Sequence, residues 1–75
     1  MDKLLTYILK NLTSKPDDIS FDKKDEEGII TYSIKLADID KGRIIGKGGR
    51  NIKAIRQILS IIARNESKRV MLSVD

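Results

Sequence analysis

From Asp2 to Leu12 the apolar residues Leu5, Ile8, Leu9 and Leu12 recur at helical spacing, with Leu4 at the edge of their stripe. Pro16 ends this pattern, which predicts an amphipathic first helix. The period then changes to two. Ile19 and Phe21 alternate with Ser20 and Asp22, and after the polar stretch Asp25-Glu26-Glu27-Gly28 the residues Ile30, Tyr32, Ile34 and Leu36 alternate with Thr31, Ser33 and Lys35. Two strands joined by a hairpin follow. Asp38 to Gly42 reads as a short capped helical turn leading into Arg43-Ile44-Ile45, and three glycines within four positions then interrupt regular structure. A long helix is predicted from about Arg50 to Arg64, with Ile52, Ile55, Leu59 and Ile62 as its buried stripe, before Val70, Leu72 and Val74 alternate with Met71 and Ser73 in a closing strand.

The predicted order is α-β-β-α-α-β, an α+β class. The hairpin makes the first two strands antiparallel, whereas a return through two helices permits a third strand parallel to one of them. The expected architecture is a three-stranded mixed sheet covered on one face by helices. Its apolar face would carry Phe21, Ile30, Tyr32, Ile34, Leu36, Val70, Leu72 and Val74. Seventy-five residues suffice for one small domain, expected over residues 1–75 without linker or repeat.

Charge changes the picture more than composition does. The net charge is +4, yet residues 1–40 hold six Lys/Arg against nine Asp/Glu, a balance of −3, while residues 41–75 hold nine against two, a balance of +7. Between Lys41 and Arg69 the only acid is Glu66. A solvating face mixes both signs, so this segment points to a polyanionic partner. Absent residue types exclude much chemistry: with no Cys and no His there is no disulfide, thiol nucleophile, Cys/His zinc site or His-based triad. Asp25, Glu26, Glu27 and the Asp17-Asp18 pair fall in expected turns and do not converge as an acid/base pair would. The chain is expected not to be an enzyme, and to need neither cofactor nor metal. No apolar run approaches the roughly eighteen residues of a membrane span, and a cytoplasmic location is expected.

The candidate site is Gly46-Lys47-Gly48-Gly49, a glycine-rich connection between two helices. Gly46 and Gly49 permit φ above zero and bring no side chains, so a sugar-phosphate backbone can approach the main chain. The helix that follows points its first N–H groups toward the loop, where helix polarity favours an anion. Lys47 and Arg50 add positive charge there, and Arg50, Lys53, Arg56, Gln57, Ser60 and Arg64 share one polar helical face. Lys47, Arg50 and Lys53 are the expected phosphate contacts. Arg56 and Arg64, farther along, fit a solvated surface equally well.

The segment Ile44-Ile45-Gly46-Lys47-Gly48-Gly49-Arg50-Asn51-Ile52-Lys53-Ala54-Ile55 resembles the signature of the KH family, an aliphatic pair, a G-x-x-G loop and a helix with fixed apolar spacing. The element order resembles the type II arrangement, and the full length resembles the small single-KH proteins of bacteria, the KhpA type. The resemblance implies that Gly46, Lys47, Gly48 and Gly49 clamp the backbone of about four unpaired ribonucleotides, with their bases in an aliphatic groove between helices and sheet. Arg43, Ile45, Arg50 and Lys53 would flank the clamp. It implies further a role as RNA chaperone or post-transcriptional regulator, and a homodimer or a heterodimer with another KH-domain protein. Gly48 departs from the family, whose two middle loop positions commonly carry polar or basic side chains; weaker affinity and a more mobile loop are expected.

Other readings fare less well. A phosphate-binding P-loop needs four residues between its glycines and a hydroxyl after the lysine, but Gly42 and Gly46 are one residue too close and Gly48 follows Lys47. A dinucleotide fingerprint fails because Asn51 replaces its third glycine and no strand precedes the loop. A helix-turn-helix binder of duplex DNA shares the paired helices and basic face, yet such modules are usually helical bundles. A dimerisation subunit finds support in Ala54, Ile58 and Ile61, which widen the apolar arc of the last helix. Ile58 is expected as extra core against the first helix or as part of an interface, and Ile61 as self-association surface.

Overall fold

The computed structural model describes residues 1–74; Asp75, the last residue of the expected domain, lies outside the described residues. The elements are α1 (Asp2–Leu12), β1 (Ser20–Glu26), β2 (Ile29–Lys35), α2 (Asp38–Ile45), α3 (Arg50–Asn65) and β3 (Arg69–Val74), with single 3₁₀ turns at Pro16–Asp18 and Lys47–Gly49. This is the expected α-β-β-α-α-β order. The sheet runs β1-β2-β3, with β2 antiparallel to β1 and parallel to β3. β2 is therefore central, and its Ile30, Tyr32 and Ile34 are completely covered while the flanking Phe21, Leu72 and Val74 are partly so.

The hairpin is tighter than its polar sequence suggests. Glu27 and Gly28 adopt φ of 53° and 78°, the paired positive angles of a two-residue type I′ turn. The ladder thus runs on to the pair Glu26↔Ile29. Asp25 and Glu26, expected in a turn, are strand residues; the charged, exposed outer edge of β1 discourages pairing with another chain.

Period-two alternation puts Ile30↔Val70, Tyr32↔Leu72 and Ile34↔Val74 on the helix-covered face. Leu5 and Leu9 of α1, Ile44 of α2, and Ile55, Leu59 and Ala63 of α3 complete the core. Phe21 meets Tyr32 edge to face with centroids 5.3 Å apart. The Tyr32 hydroxyl donates to Asp2 Oδ1 at 2.5 Å, which ties the start of α1 to the middle of the sheet. Burial, reinforced by this acceptor, pushes the Tyr32 phenol above its ordinary range.

A second tether was not expected from the sequence. Asp40 is 1% exposed, one helical turn before Ile44 on the inward face of α2. Its carboxylate accepts from the Ser14 N–H (2.9 Å), the Ser14 hydroxyl (2.8 Å) and the Lys15 N–H (3.1 Å). The Ser14 amide above all holds the carboxyl below its usual range. Because the folded value lies below the unfolded one, the contribution is complete above the ordinary carboxylate range near pH 4 and is lost as pH falls through the folded value. Asp40→Asn should lower the thermal midpoint at pH 7 and shrink the loss of stability between pH 5 and pH 2, measured by circular dichroism melts. An unchanged acid limb would show that this tether carries no pH dependence.

Candidate nucleic-acid interface

α2 ends and α3 begins within four residues, and the backbone does this with three left-handed glycines. The Gly46 N–H donates to the Gly42 carbonyl at 2.8 Å, closing α2, while φ of 74° with ψ of 171° turns the chain out of the helix. That combination is essentially confined to glycine. Gly48 (φ 65°) and Gly49 (φ 78°) follow in the left-handed region, and the Gly49 N–H donates to the Gly46 carbonyl at 3.1 Å. The expectation of positive φ at Gly46 and Gly49 holds, and Gly48 shares it. A Cβ at Gly48 would meet nothing within 4 Å, so its surroundings are open. No side chain caps α3, leaving its first turn to the loop and solvent.

Asn51 fixes the angle between the helices. Its Nδ2 donates to the Arg43 carbonyl at 2.7 Å, satisfying one of the orphan acceptors at the end of α2. A Cβ on Gly46 would lie 2.8 Å from Asn51 Cγ and 2.9 Å from its backbone nitrogen. The absence of a side chain at Gly46 is thus what lets α3 start so close to α2.

Around this turn the structure gathers the predicted residues. Arg43 and Ile45 close α2, Lys47 sits in the turn, and Arg50 and Lys53 occupy the first turn of α3; all five are exposed. None of the four cations has a carboxylate within 4.0 Å among the described residues, whose ion pairs involve Lys23, Lys24, Lys41 and Lys68. The basic stripe of α3 continues away from the turn into a groove of about 590 Å³ between α3 and the unpaired edge of β3. Arg56, Ser60 and Arg64 line it from α3, and Ser67, Lys68, Arg69, Val70 and Met71 from the other side. Arg56 and Arg64 are therefore groove residues. Of the residues that line it only Val70 and Met71 are apolar, because Ile55 and Leu59 turn inward to the core.

The buried stripe of α3 also differs in detail. Ile55, Leu59 and Ala63 are buried, whereas the expected Ile52 and Ile62 are half-buried. Ile58 is 45% and Ile61 64% exposed, and Ala54 is exposed as well. Core packing of Ile58 against α1 is thereby overturned.

The family model for the KH domain of KhpA and KhpB matches residues 2–74. The chain belongs to the KhpA/KhpB KH-domain family. Among its relatives, the RNA-binding protein KhpA of Chlamydia trachomatis is 39% identical over 74 residues, covering 99% of this chain and 95% of that one. KhpA of Clostridium acetobutylicum is 38% identical with 99% of each chain covered, and KhpA of Listeria monocytogenes is 31% identical with 99% and 97% covered. The crystal structure of APE1850 superposes with a TM-score of 0.62 at 35% identity over 92% of this chain, which spans 49% of that longer one. The family is non-enzymatic, and the type II order of elements is the one observed.

Asn51 and Asp40 are the positioning residues that the sequence reading missed. The acid at Asp40, in register with Ile44 on an otherwise apolar face, was the available signal; Asn51 offered only a polar residue next to three glycines. The geometry makes opposite predictions for two glycines four residues apart. Gly42 is helical with open space around it, so Gly42→Ala should raise stability by about 0.5–1 kcal/mol. Gly46→Ala should lower it by about 1–3 kcal/mol through φ strain alone, with the Asn51 clash in addition. Urea unfolding of both variants distinguishes the two signs.

Proposed function

We propose that this chain is a single-stranded RNA-binding module that grips the RNA backbone at Gly46-Lys47-Gly48-Gly49, residues 1–75 forming one KH domain. The observation that carries the proposal is the turn itself: three left-handed glycines open onto an uncapped helix start, ringed by Arg43, Lys47, Arg50 and Lys53, which have no acidic partners among the described residues. Phosphate oxygens accept from free backbone N–H groups and from unpaired cations, and both are available in one place. Ile45, 36% exposed beside the loop, supplies apolar surface for a sugar or base. Relatives named RNA-binding protein KhpA support the same partner. The three-stranded sheet behind the helices speaks against a helix-turn-helix reader of duplex DNA. A role as RNA chaperone or post-transcriptional regulator in the cytoplasm fits such a module; no helix is long and apolar enough to cross a membrane among the described residues.

Binding to an unstructured oligoribonucleotide should weaken with salt at a log-log slope of about −2, as for three phosphates neutralised on a single strand. Replacing both Lys47→Asp and Gly48→Asp should abolish it with the fold intact, since Gly48 is exposed and Asp tolerates left-handed φ. Fluorescence anisotropy beside circular dichroism reads both. Unchanged affinity in the double variant removes the clamp, and tighter binding to duplex DNA favours the other reader.

Exposed Ile61, with Ile58 and Ala54 beside it on α3, supports a second proposal: pairing with another copy of the chain or another KH-domain protein through this strip. Ile61→Asp should give a folded monomer. Sedimentation velocity in which the wild type and the variant share one mass eliminates self-association through Ile61.

A further inference from the structure

The chain has three aromatic side chains, and two of them, Phe21 and Tyr32, meet edge to face beneath the helices. Tyr7 has no such place. It lies midway along α1 on the side away from Leu5 and Leu9, 67% exposed and outside the core cluster. A ring left in water forgoes burial that a domain of this size can use.

The surroundings of Tyr7 are basic. Lys3 and Lys10 stand four residues before it and three after, spacings that place side chains side by side on a helix, with Cβ atoms roughly 5–6 Å apart. Both lysines are exposed, and neither has a carboxylate within 4.0 Å among the described residues. From Lys3 to Pro16 there is no acid at all, although this segment belongs to the acidic half of the chain. Asp2, next in sequence, is engaged with the sheet, accepting from Tyr32 and lying 3.4 Å from Lys23. Asn11 Nδ2 donates to the Tyr7 carbonyl at 2.7 Å, which holds a further polar group on the same side of the helix.

Three occupants of such a face differ in what they require. A membrane surface needs an apolar stripe to insert, and that of α1 is already buried in the core. Protein interfaces enrich tyrosine but deplete lysine. Unpaired nucleic acid calls for both, an aromatic ring under a base and cations along the backbone. Resting on the RNA-binding reading above, we infer that the outer face of α1 is a second contact site for single-stranded RNA, with Tyr7 stacked on one base and Lys3 and Lys10 on the phosphates either side. The bonds from Ser14 and Lys15 to Asp40 tie the end of α1 to α2, so this face keeps a fixed position relative to the glycine turn. The molecule is 34 Å along its longest axis, within the span of a strand that continues past the clamp. Every base has a π-face, so the site lengthens the footprint and adds affinity without choosing a sequence.

The test uses the full chain and a labelled, unstructured oligoribonucleotide of twelve residues, followed by fluorescence anisotropy. Tyr7→Ser should weaken binding about tenfold, within the range for loss of one base–aromatic stack, whereas Tyr7→Phe, which keeps the ring, should bind like the wild type. Replacing both Lys3→Gln and Lys10→Gln should make the log-log salt slope shallower by about 1.4, or 0.7 for each phosphate released. Circular dichroism melts establish that each variant is folded. Wild-type affinity in Tyr7→Ser, an equal loss in Tyr7→Phe, or an unaltered salt slope in the lysine variant overturns the inference and leaves the clamp standing. A change of sedimenting mass in Tyr7→Ser without a change in RNA affinity assigns the face to a protein partner and overturns it equally. Failure of the wild type to bind the oligomer overturns the clamp and this inference together.

Discussion

A helix has to end and another begin within four residues, and only backbone conformations open to glycine accomplish it here. Gly46 leaves α2 at a φ,ψ that an L side chain cannot share, and Gly48 and Gly49 bring the chain back into α3. The bond from Asn51 to the Arg43 carbonyl then sets the two helices at one angle, with the missing Cβ of Gly46 as the space in which Asn51 sits. An exposed helix start next to unpaired cations is the consequence of that geometry rather than an addition to it. Side chains larger than hydrogen at Gly46 would move α3 and every basic residue it carries.

The remainder of the molecule holds those helices still, and the division of charge along the chain reflects it. The acidic first half supplies internal tethers: Asp2 accepts from Tyr32, Asp25 meets Lys68, and Asp40 binds the segment after α1. In the basic second half only Lys41 and Lys68 form ion pairs among the described residues, and Lys47 in the turn and Arg50, Lys53, Arg56 and Arg64 of α3 are left without one. Asp2, Asp25 and Asp40 are used within the fold, whereas the cations around the glycine turn have no carboxylate beside them among the described residues. A net charge of +4 conceals this separation, because the sum cancels groups that serve different purposes.

Most of the fold was legible because its signals are local. Period-four and period-two alternation located α1, β2, α3 and β3, and the hairpin and two crossover helices left a mixed sheet as the natural topology. The glycine turn was legible for the same reason, since positive φ is a property of single residues. Long-range geometry was not. Nothing near Asp40 in the chain announces that Ser14, 26 residues earlier, will present an amide and a hydroxyl to it. Asp25 and Glu26 read as turn residues because their composition is polar, yet a two-residue turn at Glu27-Gly28 extends the ladder past them. An aliphatic groove was what the family resemblance implied, and the composition of α3 does not say which of its faces lines the space beside β3. Its wall is basic because the residues of that helix facing β3's free edge are set by a rotation that only tertiary packing decides.

That rotation gives α3 three working faces. Ile55, Leu59 and Ala63 anchor it to the core, Arg56, Ser60 and Arg64 wall the groove, and Ala54, Ile58 and Ile61 look outward. The last two are not separated by inert surface. Ile61 shares a depression of about 410 Å³ with Arg56, Gln57, Ser60 and Arg64, so a protein partner covering Ile61 would sit against the basic face of α3 on which the proposed RNA contacts Arg50 and Lys53 lie. Two ligands bound on adjoining faces of one rigid helix change each other's free energy, favourably where the partner adds cations to the track and unfavourably where it crowds the strand. By linkage the effect is reciprocal, so if both proposals hold, RNA shifts association as strongly as association shifts RNA binding.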